Sequence, residues 1–428
     1  MTILIITAKL EVQHIIKHKR TEHMLKNKNF KYLWLGRLIS NAGDSMYYIV
    51  LSWYILTLTN NSFWVGIVNF AIFIPNIFSF LFGHWIDTHS KKRSLLLCEF
   101  GQLFAILIMV ISILLDFQSP LLLCILAFLA SLFGMNTYTI QDAMTPFIVK
   151  KEQLASAQSY MSVAYNGTEY LFNALTGFLI NIFSTITLLV ANIFTFLFAI
   201  FSFSKIKEPT DANNKEPEPF LKNVFKGFIE LFQNKTILFI AIGGGMANFM
   251  FGGLNVYQVL IAKEQGSAIV LGLLTSTMAI GTLIGSTLLA TLLLKFMEIG
   301  KVLTLCTLMF GLTMLISSYF VNSSLIILIW GIASTFLGVT HVVQKPFFQV
   351  LIQKEHLGKV FSALYSLSVA TLPIGALLFG YFSSHSLNSS IFLLIFGGTY
   401  LLISFIYFVN KHIFKFTISD KIKKGLLS

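Results

Sequence analysis

Gln141-Asp142-Ala143-Met144-Thr145-Pro146, followed by Lys150-Lys151-Glu152-Gln153-Leu154, returns later as Gln344-Lys345-Pro346-Phe347-Phe348-Gln349, followed by Gln353-Lys354-Glu355-His356-Leu357. The offset is 203 positions throughout (344 − 141 and 357 − 154), and it also relates Thr168 to Thr371 and Gly177 to Gly380. A duplicated unit of about 200 residues in an apolar chain is the signature of a transporter made of two related halves. Within the repeat Asp142 becomes Lys345, which sets opposite charges at equivalent depths about a pseudo-twofold axis.

The rest of the 428 residues fit that reading. They are 56% hydrophobic and 11% charged, with a mean hydropathy of +0.78, more apolar surface than a water-soluble core accommodates. Apolar runs of about 20 or more residues, each able to cross a ~30 Å hydrocarbon layer, fall near 33–58, 63–86, 95–115, 120–148, 154–183 and 185–204. A second set follows near 236–262, 268–294, 302–321, 324–351, 357–383 and 389–410. The runs lack the alternation of a barrel strand, so helix is the expected form. The predicted fold is an all-α membrane protein of twelve transmembrane helices in two pseudo-symmetric six-helix bundles. The bundles occupy 33–204 and 236–410, joined by a cytoplasmic linker over 205–235. A cytoplasmic segment, 1–32, precedes them and a cytoplasmic tail, 411–428, follows; Met24 is an alternative start to Met1. The end of the linker, Phe220 to Phe232, has the spacing of an amphipathic surface helix.

The net charge of +12 lies on one side of this arrangement. Lys91, Lys92, Arg93, Lys150, Lys151, the linker lysines, Lys301, Lys354 and both termini fall on the side predicted to be cytoplasmic, while the opposite short loops carry Lys263. That asymmetry predicts both termini inside and explains the basic excess without nucleic acid. Cys98, Cys124 and Cys306 fall in separate spans with no metal-ligand spacing, so they read as packing residues and no metal or cofactor is expected.

Polar residues inside the spans are costly and therefore informative, a charged one by at least ~2.5 kcal/mol. Arg37, Asn41, Asp44 and Tyr48 recur on one face of the first span, with Asp44 roughly 16 Å past Leu33. Asn166, Glu169 and Asn173 make a second polar face in the fifth span. Asp44, Glu169 and Asp142 are the expected proton carriers. Arg37, Asn41, Tyr48, Tyr138, Asn166, Asn173, His341 and Lys345 are the expected cavity residues. Glu99, about one turn inside the third span, reads as an interfacial carboxylate meeting Lys92 or Arg93. Gly281 and Gly285 have a small-xxx-small spacing for close helix packing.

Gly83-His84-Trp85-Ile86-Asp87-Thr88-His89-Ser90-Lys91-Lys92-Arg93 resembles the loop between helices 2 and 3 of the major facilitator superfamily, whose pattern is Gly-x-x-x-Asp-Arg-x-Gly-Arg-Arg/Lys. Thr88 and Ser90 depart from it. The resemblance implies a conformational latch formed by Gly83, Asp87, Lys91, Lys92 and Arg93. Within that superfamily, Arg37, Ser40, Gly43 and Asp44, then Pro75, Gly83 and Asp87, then Glu152-Gln153-Leu154 and Glu355-His356-Leu357-Gly358, resemble the branch of enterobactin and macrolide exporters over residues 30–410.

The spans and loops offer no nucleophile–base arrangement and no room for an ATPase domain, so the chain reads as a transporter and not an enzyme. The resemblance implies a secondary active exporter of a small organic molecule, either a drug such as a macrolide or a self-made siderophore or antibiotic. Buried carboxylates that meet water on alternate sides favour proton-coupled antiport by alternating access. An importer of a small anionic nutrient, using Arg37 and Lys345, is the second reading. A non-transporting membrane sensor or scaffold is the third. The expected setting is a bacterial-type plasma membrane, with a monomer, protons, lipid and substrate as partners.

Overall fold

A backbone that crosses hydrocarbon must satisfy its hydrogen bonds internally, and long apolar runs do so as helices. The computed structural model describes residues 24–78, 89–150, 153–207, 232, 235–351, 357–385 and 387–416. The first six helices are α1 (Lys28–Thr59), α2 (Ser62–Phe73, continued by a 3₁₀ turn at Ile74–Phe78), α3 (Lys91–Leu114), α4 (Pro120–Ile148), α5 (Leu154–Ser162 and Thr168–Ile182, joined by a π-turn at Val163–Gly167) and α6 (Thr185–Ser204). They are followed by α7 (Lys235–Glu264), α8 (Ala268–Phe296), α9 (Ile299–Ser317), α10 (Leu325–Leu351), α11 (Leu357–Ser384), α12 (Ser389–Val409) and a short α13 (Lys411–Phe414). Among the described residues, eight helices are long and apolar enough to cross a membrane. Outside the eight are α1 and α5, which carry the polar stripes, and α2 and α11, which contribute shorter apolar helices at Ser62–Phe78 and Ser368–Ser384. Gly83, Asp87 and the predicted amphipathic segment, save Phe232, lie outside the described residues.

Turn chemistry sets where the helices begin. Asn61, Ser90, Ser184, Ser267 and Asn388 each accept a hydrogen bond from a backbone N–H in the first turn of the helix they precede. Asn60 closes α1 at φ 52°, a left-handed position that asparagine tolerates better than most residues. Large apolar side chains such as Phe104, Phe194, Leu288 and Phe405 are exposed on the outer faces, as expected of helices solvated by lipid.

The packing follows the sequence repeat. In the first half α1 packs on α5 and α6, α4 on α2 and α3, and α3 on α6. In the second half α7 packs on α11 and α12, α10 on α8 and α9, and α9 on α12, the same pattern six helices on. The halves meet through two symmetry-related pairs, α2 with α11 and α5 with α8. At both crossings glycine meets glycine. A methyl added at Gly66 would lie 2.8 Å from Gly380 Cα, and one at Gly177 would collide with the Gly272 backbone. Gly281 and Gly285 likewise press against the carbonyls of Gly331 and Thr335, which brings α8 onto α10.

These crossings lie at the end of the molecule where α1 turns into α2. At that end Lys263 Nζ donates to Asn60 Oδ1 (2.9 Å), Ser383 Oγ to Ser62 Oγ (2.7 Å) and Thr275 Oγ1 to the Asn173 carbonyl (3.0 Å). One apolar core there draws on both halves, joining Val50 and Leu189 to Val256, Leu271 and Ala376. At the other end the halves keep separate cores, one around Phe30, Ile140 and Phe203 and one around Ile240, Val302 and Tyr407. Among the described residues, the halves join at the α1–α2 end and keep apart at the opposite end.

Candidate functional site

Between the halves lies a cavity of about 1050 Å³, to which all of α1–α12 contribute, α6 through Phe196 and α9 through Thr307. The first-half wall carries Asn41, Asp44, Tyr48, Tyr138, Glu169 and Asn173; the second-half wall carries His341, together with Ala247, Phe251 and Leu372. The helical spacing of the α1 stripe thus carries three of its members into one chamber.

Arg37, the fourth member, lies behind the wall and is fully buried. Its Nη1 donates to Thr137 Oγ1 and its Nη2 to Asn41 Oδ1, both at 3.0 Å. The guanidinium sits 3.8 Å from the centroid of the Tyr138 ring and 5.3 Å from that of Tyr165. A desolvated contact of this kind contributes about 2 kcal/mol. Asn41 ties the nest together: it also accepts from Tyr138 Oη at 2.5 Å and donates to the Tyr165 carbonyl at 2.6 Å and to Thr168 Oγ1 at 3.0 Å. α1, α4 and α5 are thereby joined through one side chain.

Glu99 departs from the sequence expectation. It is fully buried, and its Oε2 accepts from Ser40 Oγ of α1 at 3.0 Å. Lys92 instead donates to the Ser204 carbonyl at 2.7 Å. One turn of helix carries Glu99 past the interface, within electrostatic reach of Arg37 and Asp44. Among the described residues the only ion pair is Lys301–Glu298, at 3.1 Å on the surface. The arginine and the two carboxylates therefore share a region without direct pairing.

The structure brings together most of the remaining predicted residues, with three exceptions. Asn166 does not line the cavity; its Nδ2 donates to Ser162 Oγ at 3.1 Å. It belongs to the π-turn, whose extra residue breaks the helical register that linked it to Glu169 and Asn173. Asp142 is exposed and lies off the cavity wall, accepting from Tyr165 Oη at 3.4 Å. Lys345 is in α10 beyond Gln344, which lines the cavity, and its side chain lies outside the described residues. Of the predicted latch, Lys91 has its Nζ 5.3 Å from the Phe147 ring centroid, and Arg93 N–H donates to the Ser90 cap. The Arg37 partners Thr137 and Tyr165 went unnoticed in the sequence, because neither carries charge, and Thr168, which accepts from Asn41, stood out only through the repeat. The repeat offset was a usable signal for the opposite wall: 203 positions from Asn41, Asp44, Tyr48 and Glu169 stand Gly244, Ala247, Phe251 and Leu372, all lining the cavity.

The sequence matches the family model of transmembrane secretion effectors over residues 22–425. The chain belongs to that family of major facilitator transporters. It is 22% identical to macrolide efflux protein A of Streptococcus pyogenes over 367 residues, covering 83% of this chain and 89% of that protein. It is 23% identical to the staphyloferrin A transporter of Staphylococcus aureus over 358 residues, covering 81% and 88%. Among solved structures, the nucleoside transporter NupG superposes with a TM-score of 0.73 at 14% identity, over 91% of this chain and 99% of that one. A bacterial homologue of the iron transporter ferroportin in an inward-facing state gives 0.71 at 17% identity, over 90% and 98%. An outward-facing structure of such a homologue gives 0.59 at 18% identity, over 89% and 98%. The chain is a multi-pass membrane transporter, not an enzyme.

Proposed function

We propose that the protein is a secondary active exporter that exchanges protons for a small organic molecule by alternating access. The observation that carries this reading is the central cavity with Asp44 and Glu169 on its wall, between halves joined at one end and divided at the other. Two bundles over 33–204 and 236–410, with twelve crossings in all, rock about the glycine contacts of α2–α11 and α5–α8. With both termini cytoplasmic, the divided end faces the cytoplasm, and the higher TM-score to the inward-facing ferroportin homologue supports that assignment. The relatives named for macrolide efflux and for staphyloferrin A support export of a drug or a self-made metabolite. Asp44 and Glu169 carry the protons, and Asp142 with Lys345 acts at the inner gate. The protein works as a monomer in a bacterial plasma membrane. An importer of small anions is disfavoured, because Arg37 is buried behind Tyr138 with its two Nη donors engaged.

The test is transport of a labelled macrolide in inverted membrane vesicles with an imposed pH gradient. An acidic lumen drives accumulation of label, and collapsing the gradient releases it. Accumulation that ignores the gradient, or an acidic lumen that excludes label, overturns the reading.

A further inference from the structure

The two walls of the cavity differ in charge in a way that the repeat makes plain. The 203-residue offset relates Asp44 to Ala247 and Glu169 to Leu372, and all four residues line the cavity. Both carboxylates thus belong to the first half, and the equivalent places in the second half are apolar. Tyr48 and Tyr138 stand beside the carboxylates, Tyr138 within electrostatic reach of both and Tyr48 of Glu169. The counterpart of Tyr48 on the facing wall is Phe251.

No lysine or arginine is among the described residues that line the cavity. Arg37 is fully buried, its Nη groups bonded to Thr137 and Asn41, and one of its faces covered by Tyr138. Its charge steadies the wall and is not presented to a ligand. His341 lines the second-half wall; Arg37 and a charged His341 together still fall short of the three carboxylates Asp44, Glu99 and Glu169.

We propose that the cavity selects amphipathic organic cations, seated with the positive head against Asp44, Glu169 and Tyr48, and the apolar body against Ala247, Phe251 and Leu372. The head gains from carboxylate attraction and from the Tyr48 ring, while an anion of the same shape meets two like charges. The apolar wall gains from burial of any hydrocarbon surface, whatever the charge of the ligand. The proposal rests on the cavity being the substrate site.

Tetraphenylphosphonium and tetraphenylborate have the same shape and opposite charge, and so isolate the electrostatic contribution. Binding of each to the purified protein in detergent is measured by equilibrium dialysis against protein-free micelles. The phosphonium is expected to bind about tenfold or more tightly than the borate. In the Asp44→Asn/Glu169→Gln double variant that ratio falls towards one. In Phe251→Ala and Leu372→Ala both ions weaken together and the ratio is kept. Equal or tighter binding of the borate by the unaltered protein overturns the proposal, and requires no variant to fold. A ratio unchanged in a monodisperse double variant overturns it as well. Borate preference with intact gradient-driven efflux removes only this proposal. Phosphonium preference without gradient-driven flux removes only the exporter reading.

Discussion

Asp44 is the one carboxylate of α1, and Asp44→Asn changes its charge chemistry while nearly keeping its shape. We expect that variant to insert and fold normally and to lose pH-driven efflux; wild-type efflux in vesicles would remove Asp44 from the coupling step. Asn41 makes a different case, since its side chain satisfies Arg37, Tyr138 and the backbone of α5 at once. Asn41→Ala leaves a buried guanidinium donor without its acceptor and is expected to cost about 1–3 kcal/mol. Thermal unfolding in detergent reads this as a lowered midpoint, and an unchanged midpoint would show that the Arg37 nest does not depend on Asn41. Glu169 is exposed to the cavity, so a cysteine there, in a cysteine-free background, should react with a water-borne thiol reagent. Charge and helical spacing made Asp44, Asn41 and Tyr48 legible in the sequence. Asn166 was misread because a π-turn, invisible in a pattern of polar residues, intervenes before Glu169. Glu99 was misread because distance from a helix end does not say which neighbour a side chain reaches.

At the scale of helices, the glycine crossings hold the closed end together by letting backbones touch. Gly380→Val places a branched side chain where a single methyl from Gly380 would already lie 2.6 Å from Gly66 Cα. The variant should separate α2 from α11 and shift the population towards opening at the α1–α2 end. Double electron–electron resonance between spin labels on α2 and α11 reads this as longer distances at that end; an unchanged distribution would show that another contact holds it shut. At the divided end, Asp142→Lys with Lys345→Asp is expected to recover part of the transport lost in either single alanine variant. Two losses that simply add, with no recovery on exchange, would remove the inner-gate role. The helices themselves were legible because hydrocarbon thickness and backbone satisfaction leave few options. Their partners were less so: Gly177 and Gly380 stood out by the repeat, whereas Gly66 and Gly272 became meaningful only once the crossings were seen.

For the whole molecule, duplication was the most legible feature, and the packing order of the two halves repeats it helix by helix. Which end is closed was not legible, since one sequence must serve both states of a rocking transporter. The hydrogen bond from Lys263 to Asn60 joins residues 203 positions apart, the repeat length itself, so each stands at the other's equivalent place beside the pseudo-twofold axis. In a dimer of identical subunits a residue on a twofold faces its own copy. Lysine there would meet lysine, and repulsion would replace the bond. Carrying both copies on one polypeptide frees the two places to hold different residues. Fusion of the halves thus does more than tether them: it permits chemistry across the axis that identical twins are forbidden.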